Sequence, residues 1–132
     1  MKIVDHRGQT LWLDNRGIHE TPLGLGKFAA LDEVPIPPSQ LASAQLFVAK
    51  HFRYNPPGSA NRTKSSSYHY KHCAEHFIEQ ENLDPNVFSH YVSNGALILA
   101  AYLAGFPIFH IQGLNCYFRA RVARSLEVSC YA

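Results

Sequence analysis

The chain predicts an α+β fold, with about three to four helices packed on a small antiparallel sheet formed by N-terminal and C-terminal hairpins. Three observations lead there. Short apolar runs flank a glycine-bearing turn within the first thirteen residues. Segments with helical apolar spacing fill the middle, and a second pair of alternating runs follows around Gly113. Strands, then helices, then strands, without regular strand–helix alternation, is the order of an α+β domain. At 132 residues, a single domain over 1–132 is expected.

The elements follow in order. "KIVDHRGQTLWLD" reads as two strands around His6-Arg7-Gly8-Gln9, with Ile3, Val4, Leu11, Trp12 and Leu13 as strand formers. Residues 15–39 read as irregular, because Gly17, Gly24, Gly26 and four prolines break any long element. Gly24 and Gly26 lack the lysine-serine pair and the strand–helix setting of a phosphate loop. Ser39 looks like an N-cap for a helix reaching about Phe52, with Leu41, Ala44, Leu46, Phe47 and Val48 as its stripe. The stretch 55–66 is polar, basic and rich in Pro, Gly and Ser, which predicts a mobile loop.

Ser66 or Ser67 can cap the next helix, over 68–81. Asp84-Pro85 marks a further short helix through Tyr91, since an acid followed by proline suits a first turn. Ser93 or Asn94 caps "GALILAAYLA", which is apolar nearly all round and belongs at the centre of the core. Gly105 is its stop. "FPIFHIQ" and "CYFRARVA", joined by Gly113-Leu114-Asn115, form a hairpin. Its second strand places Arg119 and Arg121 on one face, and Phe118, Ala120 and Val122 on the other. "LEVSCY" predicts a last strand.

Composition narrows the function classes. An apolar content of 46% with 17% charged residues describes a globular chain, not a disordered one. No apolar run reaches about 18–20 residues, so no membrane span is expected. "MKIVDHRGQT" lacks the apolar region of a signal peptide. Cys73, Cys116 and Cys130 form an unpatterned odd set, which predicts buried inert thiols and a reducing cytoplasm rather than a disulfide framework. The net charge of +2 conceals two acid-free spans, 34–74 and 85–125. The first holds Lys50, Arg53, Arg62, Lys64 and Lys71, and the second holds Arg119, Arg121 and Arg124. Clustered cations of this kind suit phosphate or an acidic protein surface.

The chemistry-bearing stretch is "SSYHYKHCAEHF", 66–77. On a helical wheel Tyr70, Cys73, Ala74 and Phe77 share the core face. Tyr68, Lys71 and Glu75 lie opposite, and His69, His72 and His76 line up between. His72 and His76, four apart, can meet over one turn. His72-x-x-Glu75-His76 is also the order of inverzincin peptidases, in which two imidazoles hold zinc and the glutamate activates water. A catalytic zinc needs a third protein ligand from elsewhere in the fold, and the acidic residues downstream offer no obvious second glutamate on a paired helix. Zinc at His72, Glu75 and His76 is therefore a minor expectation, with no cofactor as the main one. No G-x-S-x-G motif is present.

Four short pieces carry a resemblance: Ser67-Tyr68-x-x-Lys71-His72-x-x-Glu75, Tyr91-x-Ser93-Asn94-Gly95, Ala100-Ala101-x3-Gly105-Phe106, and Asn115-x-Tyr117-Phe118. Together they resemble small, uncharacterised accessory proteins of phages, plasmids and integrative elements, over residues 66–118. The resemblance implies an accessory role, with interference with a host system as one form of it. A polar helix face at these positions must meet something, either the Ser93-Asn94-Gly95 helix start or an external partner.

The resulting expectation is a non-catalytic, cytoplasmic binding protein of a mobile element whose partner is a host protein or nucleoprotein. The expected surface is Arg53, Tyr54, Arg62, Lys64, Tyr68, Lys71, His72, Glu75, Arg119 and Arg121. A second reading is direct nucleic-acid binding through the basic loop and the arginine strand. A third is a zinc-dependent hydrolase using the histidine-rich helix.

Overall fold

Alternation of apolar and polar residues starts the chain as a meander. In a computed structural model describing residues 1–24, 31–56 and 65–122, β1 (Lys2–Val4), β2 (Thr10–Asp14) and β3 (Gly17–His19) form a three-stranded antiparallel sheet in that order. Ile3 stands opposite Leu11, and both are buried with Leu13. The β1–β2 turn is held by Asp5, whose carboxylate accepts from the N–H groups of Arg7 and Gln9. Gly8 in that turn takes φ +81°, a conformation suited to glycine. β3 falls within the stretch expected to be irregular. It forms because Asn15-Arg16 makes a two-residue turn that folds Gly17 back on Asp14.

Three helices follow. α1 (Pro38–His51) starts one residue ahead of Ser39, with Pro38 at its first position. Proline there has the required φ already and lacks an N–H that would go unpaired. The Ser39 carbonyl instead accepts from Ser89 N–H and from Ser43 Oγ–H. α2 (Ser67–Gln80) buries Tyr70, Cys73, Ala74, Phe77 and Ile78, the face the wheel predicted. α3 (Asn94–Leu103) is buried from Gly95 through Ala101 and touches α1, α2, β2, β3 and β6. Fully burying each of Leu97, Ile98 and Leu99 contributes about 1.5–3 kcal/mol, so this segment is the centre of the core, as its composition predicted.

The ends of α3 are chemically explicit. Ser93 Oγ accepts from Ala96 N–H at 3.0 Å, satisfying one free donor of the first turn. At the other end Gly105, at φ +92°, donates to Tyr102 O, and Phe106 N–H reaches back to Ala101 O. That pair of bonds is a Schellman stop. Residues 85–91 do not form the expected helix. Asp84 closes one turn, accepting from Asn86 N–H on its side chain and from Val87 and Phe88 N–H on its carbonyl. Val87 and Tyr91, at helical spacing, both stay exposed, so a second turn would bury little, and Ser89 instead ties the segment to α1 through Ser43.

β5 (Ile108–Gln112) and β6 (Asn115–Phe118) make the expected C-terminal hairpin around Gly113. It meets the N-terminal sheet through His6 N–H to Ile108 O and Ile18 N–H to Leu114 O, each 2.9 Å. β4 (Arg53–Tyr54) and β7 (Ala120–Arg121) pair as a short antiparallel ribbon that sequence reasoning did not foresee. One apolar cluster joins all three helices to the strands, with Phe52 stacked against Tyr70, Phe106 and Phe118. No helix among the described residues is long and apolar enough to cross a membrane.

The tightest joint lies where β2–β3, α3 and the β5–β6 turn converge. A Cβ on Gly95 would stand 1.8 Å from Asp14 O, and one on Gly17 2.2 Å from Leu114 O. Asn94 closes the same junction, donating to Leu114 O and Arg16 O. Asp14, fully buried, accepts from Arg16 through Nη2 (2.6 Å) and Nε (3.0 Å), from His19 Nε2 (2.9 Å), and from Val34 N–H (3.1 Å). Burial alone would raise its pKa, but the hydrogen bonds from Arg16, His19 and Val34 outweigh that and hold the carboxyl well below the usual carboxylate range.

Cysteine usage departs from expectation at one position. Cys73 is buried and disulfide-bonded rather than a free inert thiol. Cys116 is free and buried, and burial pushes its thiol far up, away from the nucleophilic thiolate. Cys130, Arg62, Lys64, Arg124 and the strand expected over 126–131 lie outside the described residues, as does most of the loop expected to be mobile. The described start of that loop is fixed: Asn55 is buried and donates its N–H to Arg119 O.

Candidate functional site

Arg53, Tyr54, Arg119 and Arg121 are nearly 70 positions apart in sequence, yet β4–β7 pairing joins them. Arg53 stands directly opposite Arg121, and Tyr54 opposite Ala120. Directly opposed residues share a face with Cβ atoms about 5 Å apart. Alternation along the chain puts Arg119 on the face of Arg121, while Phe118, Ala120 and Val122 point into the core. Three guanidinium groups therefore share one side of a two-stranded ribbon. Arg53 and Arg121 are exposed; Tyr54, opposite Ala120, belongs to the other face of the ribbon and is 55% exposed. Arg119 lies over the Phe109 ring at 4.1 Å, a cation–π contact that fixes its plane. Arg53 spends one donor on its neighbour's carbonyl, Phe52 O.

Among the described residues none of these three arginines has a carboxylate within salt-bridge distance. Like charges placed directly across a ladder are destabilising. At His51 burial first, and then Lys50 and Arg53, push the imidazole below its ordinary value, with Glu81 opposing them. The arrangement is a cationic surface with the Phe109 ring under Arg119 and without a carboxylate at salt-bridge distance from the three arginines among the described residues.

The polar side of α2 is organised differently. Lys71, expected to face outward, is 7% exposed. Its ammonium lies over the Tyr91 ring at 4.5 Å and the Tyr68 ring at 5.9 Å, and 3.4 Å from Glu75 Oε1. The segment before α3 folds over the helix and covers it, which a wheel of α2 alone does not show. Glu75 also accepts from Val92 N–H at 3.3 Å and lies 3.2 Å from His72 Nδ1. The partner anticipated for this face, the start of the Ser93-Asn94-Gly95 helix, is thus met internally and one residue early. Tyr68 remains exposed, stacked edge-on with His72 at 4.6 Å.

Glu75 is engaged by Lys71, His72 and the Val92 N–H. Among the described residues no three His, Cys, Asp or Glu side chains already converge as a metal-holding group. An open cleft of about 440 Å³ does lie beside this face, lined by His72, Glu75, His76, Glu79 and His90. Sequence reasoning had not singled out Phe109, Glu79 or His90. Phe109 could have been suspected from its place on the strand paired with Arg119's, whereas His90 had no local signal.

No protein-family model, curated protein or solved structure matches this chain.

Proposed function

We propose that this chain is a non-catalytic binding protein whose working surface is the β4–β7 arginine face, and whose ligand is the phosphate backbone of a nucleic acid, free or within a nucleoprotein. The supporting observation is Arg53 facing Arg121 with Arg119 alongside, without a described carboxylate to neutralise them. Phosphate oxygens accept bidentate hydrogen bonds from guanidinium, and an anion between opposed arginines removes their repulsion. The resemblance to accessory proteins of mobile elements fits a host nucleoprotein as the bearer of that phosphate.

The test is fluorescence anisotropy with a labelled single-stranded oligonucleotide across a salt series. Binding at low salt should weaken steeply as salt rises. Arg53→Ala with Arg121→Ala should flatten the slope of log K against log salt by roughly 0.7 for each phosphate no longer neutralised. Salt-independent binding, or an unchanged slope in the double variant, would refute the reading. Stronger binding to polyglutamate than to the oligonucleotide would reassign the surface to an acidic protein.

A further inference from the structure

We infer that the cleft between α2 and the 84–92 segment is a site for a borderline divalent transition-metal ion of the zinc type, held by His72, His76 and His90 with Glu79 as the fourth donor. His72 and His76 stand one helical turn apart, the spacing at which two imidazoles reach one ion. His90 enters the cleft from another element, and Glu79 stands one further turn along α2. Imidazole nitrogen and carboxylate oxygen are donor types that zinc takes in four-coordinate sites.

Two features go beyond a chance group of histidines. His72 Nδ1 lies 3.2 Å from Glu75 Oε1. A carboxylate on one ring nitrogen fixes the tautomer and aims the other nitrogen outward, which is how metal-bound histidines are oriented. In addition, the two walls of the cleft are already joined. Glu75 accepts from Val92 N–H, and Lys71 lies against Tyr91. Those contacts hold the backbone just after His90 to the helix that carries the other donors. The donors do not yet meet at one point, so capture closes the site by rotation of side chains. His72 is already oriented by Glu75, so the rotation falls to His76, Glu79 and His90. Glu75 here is a positioning residue. This departs from the peptidase pattern, in which the same glutamate acts on water.

The experiment is calorimetric titration of the untagged full chain with Zn²⁺, paired with the Co²⁺ d–d absorption spectrum. One ion per chain and a four-coordinate Co²⁺ spectrum are expected. His76→Ala and His90→Ala should each weaken Zn²⁺ binding at least tenfold, and Glu75→Gln should weaken it by roughly 10–100-fold at unchanged stoichiometry. Far-ultraviolet circular dichroism of each variant confirms folding. Absence of saturation by about 1 mM Zn²⁺ would overturn the inference. So would wild-type affinity in a folded His90→Ala variant, which would leave only an ordinary helical histidine pair.

Discussion

Replacing Asp14 with asparagine tests the joint on which the N-terminal half depends. The carboxylate is fully buried and receives Arg16, His19 and the Val34 N–H. Asparagine keeps the shape but removes the charge and presents an NH₂ to groups that are themselves donors. Breaking a buried pair costs about 3–5 kcal/mol. Because the Arg16 side chain is 35% exposed, water relieves part of the loss, and the lower end, about 3 kcal/mol, is expected. The pH dependence has a definite sign. The folded pKa is depressed, so the stabilisation is fully present above the unfolded value and lost as pH falls through the folded one. With an unfolded pKa of about 3.9, the wild type loses about 1.2 kcal/mol from this group between pH 5 and pH 3, where the unfolded chain takes up a proton and the folded chain does not. The variant lacks that contribution. Urea unfolding of both proteins at pH 5 and pH 3 should show a gap of about 3 kcal/mol shrinking by about 1.2. A gap below about 1 kcal/mol at pH 5, or one that stays constant with pH, would refute the account of Asp14 as an ionised anchor.

Two further outcomes follow from the packing. Gly95→Ala places a methyl 1.8 Å from Asp14 O and 2.8 Å from the Asn15 backbone. Backbone cannot yield cheaply there, so a loss of at least about 3 kcal/mol is expected, whereas Gly8→Ala, with open space around it and only an unfavourable φ, should lose about 1–2 kcal/mol; thermal denaturation that ranks the two in reverse would contradict the joint. Cys116 should resist alkylation in the native protein and react on unfolding, while Cys73 should need reductant as well; mass spectrometry after iodoacetamide with and without reductant distinguishes them.

What was legible in the sequence was local chemistry. Ser93 bonds a donor three residues ahead, Gly105 bonds a carbonyl three residues back, and Gly113 turns one strand onto the next. The core face of α2 was legible for the same reason, since 3.6-residue periodicity is a property of the segment itself. The misses share the opposite cause. β4 is two residues long and exists only because Arg121, far along the chain, pairs with Arg53. The burial of Lys71 is decided by Tyr91, and the state of Glu75 by the Val92 N–H. Asp84-Pro85 is chemistry that a turn and a helix start have in common, and the segment's packing, which leaves Val87 and Tyr91 exposed, is not readable from it. Of the candidate surface, the arginine alternation at 119 and 121 was readable, and its junction with Arg53 and Tyr54 was not.

That distinction bears on where a partner acts. Most of the residues that carry the resemblance have internal tasks. Ser67 Oγ accepts from Cys116 N–H, and Lys71, Glu75 and Tyr91 lock α2 to the segment before α3. Asn94 and Gly95 seat α3 on the β2–β3 turn, and Gly105 and Phe106 end it. A partner that needed the Lys71 ammonium would have to lift Tyr91 away and break the contact with Glu75. An anion arriving at Arg53 and Arg121 breaks no ion pair among the described residues and lowers a repulsion that the folded chain already carries. On energetic grounds the proposed phosphate ligand is met at lower cost at the arginine ribbon than at the tyrosine-covered face of α2.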